Sequence, residues 1–289
     1  MMETYYKLKA PLAVCLDDFK TVAHYSVATR GFGGVEATRF ATMGLVNVER
    51  ASLDPPPLSL IVRDRNTLLT ALIHGLAWLY QIPVDGDGVS RVLASSGFPE
   101  RADATLGDYE AASLSAYGNA RELLEQRSPL ENELIDFLAP QYDPIAAGQR
   151  VEQMEWPVFA LLRPEFPDRL TIGPIDLTGP ARHVYYGPYF ALPAGAWSAD
   201  ISFEVQDCLS ENRIAVDVFA GKVLTIINAT LPPRGVFGCQ LRFEIEHHSE
   251  PAEIRLQLLS GAIEGALQMR KIELRRLTAR DTEEKARTG

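Results

Sequence analysis

A strict alternation of apolar and polar residues from Trp197 to Gln206 constrains this chain more than any other feature. Successive side chains on a strand point to opposite faces, so the pattern predicts a strand with one buried and one solvated face. The apolar positions are Trp197, Ala199, Ile201, Phe203 and Val205, and the polar positions are Ser198, Asp200, Ser202, Glu204 and Gln206. Most of the chain after this point repeats the pattern.

Further strands with turn signals between them predict an antiparallel β-sandwich, jelly-roll-like, in the C-terminal part. They cover residues 184–192, 214–219, 223–229, 237–247, 252–259 and 265–277. In the last of these, Leu267 and Met269 are out of phase with Ile272 and Leu274. That slip predicts a β-bulge near residues 270–271.

The N-terminal part has a mixed α/β pattern, so the fold class is α+β with more than one domain. We expect short strands at 11–15, 21–29, 44–48 and 58–62, and helices at 68–80 and about 108–126. A third helix is marked by Ser128, Pro129 and Glu131, which form a capping box with proline at the first helical position, and it should end at Pro140.

Prolines are dense between residues 140 and 183, which is typical of an extended connector. We therefore place a domain boundary near residue 160. The prediction is a mixed α/β domain at 1–160, a sandwich at 161–278 and a charged tail at 279–289.

Two glycine-rich stretches resemble ligand loops but lack the residues that complete them. Gly31 to Gly34 has no following Lys-Ser/Thr, so a phosphate-binding loop is not indicated. Asp85 to Gly88 resembles the start of a calcium loop, but the later acidic positions are Val89 and Ser96. Both are predicted to be turns. The helix at 68–80 should begin after a cap at Asp64 or Asn66 and should end before the turn at Asp85 to Gly88.

Charge and cysteine content narrow the classes of partner. A net charge of −10, from 28 basic and 38 acidic residues, argues against nucleic-acid binding. No apolar run is long enough for membrane insertion, and no uninterrupted signal-peptide core occurs near the first residues. Cys15, Cys208 and Cys239 are expected to be buried free thiols, and a disulfide between the last two stays open as an alternative. Because free thiols are typical of a reducing compartment, we predict a cytoplasmic protein.

The order of features between residues 170 and 278 resembles jelly-roll carbohydrate-binding modules. The likeness is carried by Gly187-Pro188-Tyr189, a Leu-Pro-x-Gly turn at 192–195, the aromatic-led strand at 197–206 and the final Ile-Glu-Leu-Arg-Arg-Leu strand at 272–277. It implies a saccharide or polysaccharide as partner. Such modules bind through variable residues, so no single binding residue is carried over by motif.

A cluster of aromatic residues is the candidate saccharide site. Tyr185, Tyr186 and Tyr189 could form a platform on which sugar C–H faces stack, with His248 and Arg255 lining a polar patch nearby. Trp197 belongs to the same aromatic cluster, but its position on the apolar face of its strand favours a role in the core.

A metal site is the alternative interpretation of one strand. Glu244, Glu246 and His248 share a face, and such residues can converge on an ion. Arg242 lies on that face too, which favours an ordinary solvated surface. We therefore predict no metal and no cofactor.

Residues 63–141 resemble, faintly, the helical part of bacterial carbohydrate sulfotransferases, mostly through 128–138 (Ser-Pro-Leu-Glu-Asn-Glu-Leu-Ile-Asp-Phe-Leu). The phosphate-binding loop that such enzymes need is missing here. If the kinship is real, this part is expected to be a non-catalytic remnant.

The predicted function is a non-catalytic glycan-binding protein whose N-terminal domain docks a protein partner or a second copy. One alternative is a carbohydrate-modifying enzyme, which requires a pocket in the first domain lined by two carboxylates or by a histidine such as His24 or His74. Another is a structural or assembly subunit. The sequence has no motif that decides whether the N-terminal domain is catalytic.

Overall fold

The computed structural model describes residues 11–15, 17–53, 59–116, 126–167, 169–170, 172–246 and 250–278. The chain forms two compact units. The first comprises Met1–Ser128 with Tyr142–Gln149, and the second comprises Pro129–Gln141 with Arg150–Gly289. The predicted boundary near residue 160 and the predicted tail stay predictions.

The first unit combines helices with a small parallel sheet. Its elements are β1 (Leu12–Cys15), α1 (Phe19–Arg30), α2 (Gly34–Leu53), β2 (Ser59–Val62), α3 (Leu69–Leu79), α4 (Gly86–Ser95), α5 (Leu106–Ala116) and part of α6 (Pro129–Ala146). β1 and β2 pair in parallel, with Leu12 opposite Ser59. Both strands, α3 and the start of α6 at Pro129 agree with the sequence prediction.

The strands predicted at 21–29 and 44–48 are wrong, because both segments lie within α1 and α2. Asp18 caps α1 by accepting a hydrogen bond from the Thr21 N–H at 2.8 Å. The buried residues Phe19, Ala23 and Val27 are four apart, which is the helical period that β-branched neighbours obscured. Gly31, at φ +66°, ends α1, so the turn predicted at 31–34 is confirmed.

Two other helix limits differ from the prediction. α3 begins without a side-chain cap at Leu68, because Asp64 instead accepts the N–H of Asn66 at 2.8 Å. Asp85 accepts the Gly88 N–H at 2.8 Å and caps a further helix, α4, so the predicted turn is the start of a helix that the pattern missed.

α6 continues past Pro140, where it was predicted to end. Each proline in its interior removes one backbone donor. The extra turns bury Tyr142, whose ring stacks on Phe19 at 5.4 Å between centroids. The Phe19 N–H also donates to Asp143 Oδ1 at 2.8 Å. Tertiary packing therefore outweighs the local preference of proline.

The second unit is an antiparallel β-sandwich, as predicted. Its strands are β3 (Gln153–Glu155), β4 (Ile175–Asp176), β5 (Arg182–Tyr185), β6 (Pro188–Phe190), β7 (Gly195–Gln206), β8 (Arg213–Ala220), β9 (Lys222–Thr230), β10 (Gly235–Ile245), β11 (Ala252–Leu258) and β12 (Ala266–Arg276). One sheet has the order β10–β7–β12–β3, with β4 beside β12. The other has the order β5–β11–β8–β9, with β6 beside β11.

The alternating residues of β7 form the centre of the sandwich core. Trp197, Ala199, Ile201, Phe203 and Val205 are all buried. The Trp197 indole N–H donates to the Pro193 carbonyl at 2.8 Å, which satisfies its polar atom inside the core. The register shift between Met269 and Lys271 in β12 confirms the predicted bulge. Cys208 and Cys239 are both free thiols.

Candidate functional site

One face of the sheet β5–β11–β8–β9 carries a set of polar and aromatic side chains, here called the outer face. Cross-strand partners on an antiparallel sheet point to the same side, so the pairs Arg255–Asp217, Gln257–His183 and Glu253–Phe219 belong together. Tyr186 and Tyr189 lie beside this set. The members are therefore His183, Tyr186, Tyr189, Asp217, Phe219, Glu253, Arg255 and Gln257.

A register shift decides which tyrosines reach the outer face. β11 has an irregularity between Leu256 and Gln257, opposite β5. On a regular strand His183 and Tyr185 would share a face. The shift instead pairs Tyr185 with Leu256, a core residue, while His183 pairs with Gln257.

Tyr185 is therefore an interior residue, which corrects its place in the predicted platform. Its side chain is 3% exposed. Its hydroxyl lies 3.4 Å from the Gly173 carbonyl, and the Arg163 guanidinium lies 5.6 Å from its ring centroid. Burial raises the pKa of Tyr185 above its usual value. This ring has no surface on which a ligand could stack.

Tyr186 and Tyr189 are brought together, as the platform requires. Their rings are perpendicular, with centroids 6.3 Å apart, and both side chains are half-buried. Tyr189 has φ +70°, a left-handed conformation that is uncommon for a residue other than glycine. Gly187, at φ +92°, allows the bend, and a Cβ there would lie 3.4 Å from the Tyr189 ring. Such strain, where observed, is a recognised mark of functional positions.

Arg255 makes the central ion pair of the outer face. Its Nε and Nη2 atoms donate to the two carboxylate oxygens of Asp217 at 2.7 and 3.1 Å. Gln257 donates to the same carboxylate at 3.3 Å. Asp217 is 1% exposed and the Arg255 side chain 18% exposed, and the guanidinium lies 4.2 Å from the Phe219 ring centroid. This arrangement fixes Arg255 in one orientation.

Burial and neighbouring charges shift the pKa values of Glu253 and His183. Burial raises the pKa of Glu253, although the Tyr189 hydroxyl donates a hydrogen bond to its carboxylate and Arg255 lies near. Burial and the positive charge of Arg255 lower the pKa of His183, and Asp217 opposes that effect. His183 is therefore neutral at pH 7 and offers one donor and one acceptor nitrogen.

The remaining predicted site residue, His248, lies outside the described residues. Its proposed partners are both exposed: Glu244 lies on β10 and Glu246 directly follows it, with Lys222 Nζ 3.1 Å from Glu246. Across the described ranges, no group of three His, Cys, Asp or Glu side chains could hold a metal ion. None of the helices in those ranges is long and apolar enough to cross a bilayer.

Sequence reasoning found Tyr186, Tyr189 and Arg255 but missed the other members of the outer face. Asp217 had a signal, since it is the one charged residue in the apolar run from Ile214 to Phe219. A carboxylate in such a strand needs a cation nearby. The partners His183 and Gln257 had none, because only the strand pairing brings them close.

Comparison with known proteins finds similarity to solved carbohydrate-binding modules. A CBM36 module in complex with calcium and xylotriose matches at 16% identity and a TM-score of 0.26, over 43% of this chain and 99% of that one. The C-terminal CBM6 of LamC from Zobellia galactanivorans matches at 12% identity and 0.26, over 43% and 89%. TmCBM61 in complex with β-1,4-galactotriose matches at 14% identity and 0.25, over 36% and 69%.

At these identities and TM-scores the matches assign neither a family nor a ligand to this chain. No protein-family model and no curated protein matches it. The likeness to sulfotransferases receives no support from the comparisons.

Proposed function

We propose that the chain binds a saccharide on the outer face of the sandwich, without catalysis at that face. One observation supports the proposal most strongly. Two half-buried tyrosine rings, Tyr186 and Tyr189, lie on the same sheet surface as Arg255, whose guanidinium is held in place by Asp217. The similarity to carbohydrate-binding modules suggested the ligand class, but the geometry supports it independently.

The parts of this surface suit a half-solvated sugar. Aromatic rings provide apolar area for C–H faces and, in tyrosine, a hydroxyl at the edge. A guanidinium has five N–H donors, and Asp217 engages those on Nε and Nη2, so the others can meet sugar hydroxyls. Because Arg255 is already held in place, little side-chain entropy is lost on binding.

The charge balance favours a neutral saccharide over an acidic one. Asp217 offsets the charge of Arg255 at short range, and the whole chain carries a net charge of −10. Acidic polymers would meet no excess of positive charge at this face and a negative field around it.

A direct test is calorimetric titration of the full-length protein with the neutral polysaccharides xylan, laminarin, galactan and glucomannan. Tyr186→Ala should weaken binding about tenfold or more, as expected for an aromatic anchor. Tyr80→Ala, which removes an exposed tyrosine of the first unit, is the matched control and should bind normally. Absence of binding to all four polymers, or equal binding by the Tyr186 variant, would contradict the proposal.

Docking of a protein partner or a second copy is proposed for the N-terminal unit. The support is apolar surface at the end of α3, where Trp78 is 71% and Ile82 61% exposed. Light scattering coupled to gel filtration would detect a dimer, and Trp78→Ser should then yield the monomer. A cytoplasmic location remains a prediction from the sequence.

A further inference from the structure

The first unit contains a polar cluster at the edge of its parallel sheet. Asp17 and Asp18 follow the carboxyl end of β1, and Arg65 follows the carboxyl end of β2. Parallel neighbours end at the same edge, and ligands of α/β structures bind outside that edge. Glu110, from α5, completes the cluster.

A cavity of about 560 Å³ opens at this cluster. Its volume lies within the range of about 300–1,000 Å³ that is typical of small-molecule sites. Its polar lining includes Asp17, Glu110, Arg65 and His24. Three aromatic side chains, each about 40% exposed, form the other part of the lining, namely Tyr25, Phe40 and Tyr109.

Arg65 holds the acidic groups together. Its Nε lies 3.0 Å from Glu110 Oε2, and its Nη1 lies 3.4 Å from Asp17 Oδ1 and 3.6 Å from Asp18 Oδ2. The Arg65 side chain is 42% exposed, so its charge is partly screened by water.

Asp17 and Glu110 both contact the guanidinium of Arg65. Burial, together with the charge of Glu110, raises the pKa of Asp17 to about 7, although the Asp18 N–H and Arg65 oppose the shift. The Asp17 carboxyl therefore changes its protonation state near neutral pH. Its protonated form offers one hydroxyl donor, and its ionised form offers only acceptor oxygens.

The charges around the cavity favour a neutral ligand. Arg65 and Arg30 carry the positive charges, and Arg30 lies 4.7 Å from the centroid of the Phe40 ring. The acidic side chains Asp17, Asp18 and Glu110 oppose them, and burial raises the pKa of Asp17 to about 7. A molecule that uses donors, acceptors and aromatic surface without net charge fits this lining.

We infer that this cavity is a binding site for a small neutral polyhydroxylated molecule of one or two sugar rings, with Asp17 and Glu110 among its polar contacts. Such a pocket is the feature that the alternative of a sugar-modifying enzyme required. The outer face shares no residue with it, so the inference stands whether or not that face binds polysaccharide.

In two-carboxylate glycosidases the carboxyl groups lie about 5 Å or more apart, on either side of the scissile bond. Here Asp17 and Glu110 both contact the guanidinium of Arg65. The site is assigned to binding, and no hydrolytic step is proposed.

The test uses the full-length protein and the probes myo-inositol, cellobiose, xylobiose, lactose and maltose, one at a time, by saturation-transfer NMR and calorimetry. At least one probe should bind, and Asp17→Asn and Tyr109→Ala should each weaken it about tenfold. Tyr80→Ala, which removes an exposed tyrosine of the first unit that does not line the cavity, is the control and should bind that probe normally. Thermal melting shows that each variant is folded.

Two results would overturn the inference: no binding of any probe, or normal binding by both cavity variants. A carbon-detected NMR titration adds a second measurement, since the Asp17 carboxyl should titrate near pH 7 and move downward in Glu110→Gln. Titration near pH 4 in the unaltered protein would contradict the raised pKa of Asp17. Loss of polysaccharide binding in Tyr186→Ala tests only the outer face, so the two proposals can fail separately.

Discussion

The outer face and the cavity of the first unit are lined by similar residue types, but the surroundings of their buried carboxylates differ. On the outer face, Arg255 pairs with both carboxylate oxygens of Asp217. In the cavity, burial and the charge of a second acid, Glu110, raise the pKa of Asp17 to about 7. The ion pair fixes the orientation of Arg255, whereas the raised pKa gives a site whose protonation state changes near neutral pH.

The largest expected effect is on the ion pair of the outer face. Arg255→Ala leaves Asp217 buried without its cation, which should lower the free energy of unfolding by about 3–5 kcal/mol. Urea denaturation measures the loss. The double variant Asp217→Leu with Arg255→Leu should recover most of it, because no charge is then left buried. If the single variant is as stable as the parent, the contrast between the two sites is wrong.

A smaller effect is expected at the bend that positions Tyr189. Gly187→Ala forces a side chain into φ +92° and against the Tyr189 ring, at a cost of about 1–2 kcal/mol. The matched control is Gly86→Ala, where a Cβ meets nothing within 4 Å and the helix should tolerate alanine. Equal thermal stability of the two variants would show that the left-handed bend is not needed.

The arginine of the cavity should matter much less for stability than Arg255. Arg65→Ala removes a 42% exposed side chain, so we expect a loss of about 1 kcal/mol or less at pH 5, where Asp17 is protonated. The measurement is the same urea titration as for Arg255→Ala. A loss as large as that of the Arg255 variant would remove the distinction between a buried ion pair and a partly exposed one.

The last expected effect is a pH dependence from Asp17. Its pKa is raised from 3.8 to about 7 in the folded protein, so the folded state binds more protons than the unfolded state between these values. The stability contributed by this group is therefore present at low pH and is lost as pH rises from about 4 to about 7. Asp17→Asn should match the parent near pH 4 and melt at a higher temperature at pH 8.

Asp103→Asn is the control for that pH dependence. Asp103 is exposed and bonded to Arg101, which lowers its pKa, so its loss should not raise the melting temperature at pH 8. If Asp17→Asn and the parent show parallel melting profiles from pH 4 to pH 8, the pKa of Asp17 is not raised in the folded protein.

Local patterns were sufficient for much of the sandwich and insufficient for the first unit. The alternation in β7 and the phase slip in β12 each follow from the period of two, and both were confirmed. In α1 the buried residues include alanine and serine, which weakens the helical pattern, and β-branched neighbours favoured a strand. α6 runs through Pro140, and its further turns are held by contacts with Phe19 that no local pattern encodes.

The sequence by itself determined that a two-faced antiparallel sheet would form, because alternation is a local property of neighbouring residues. It also placed Tyr186, Tyr189 and Arg255 among the residues to consider. Only the tertiary structure decided that Tyr185 is interior, that Asp217 meets Arg255, and that Asp17 meets Glu110. Those outcomes depend on strand register and on segments far apart in the chain, which no local pattern encodes.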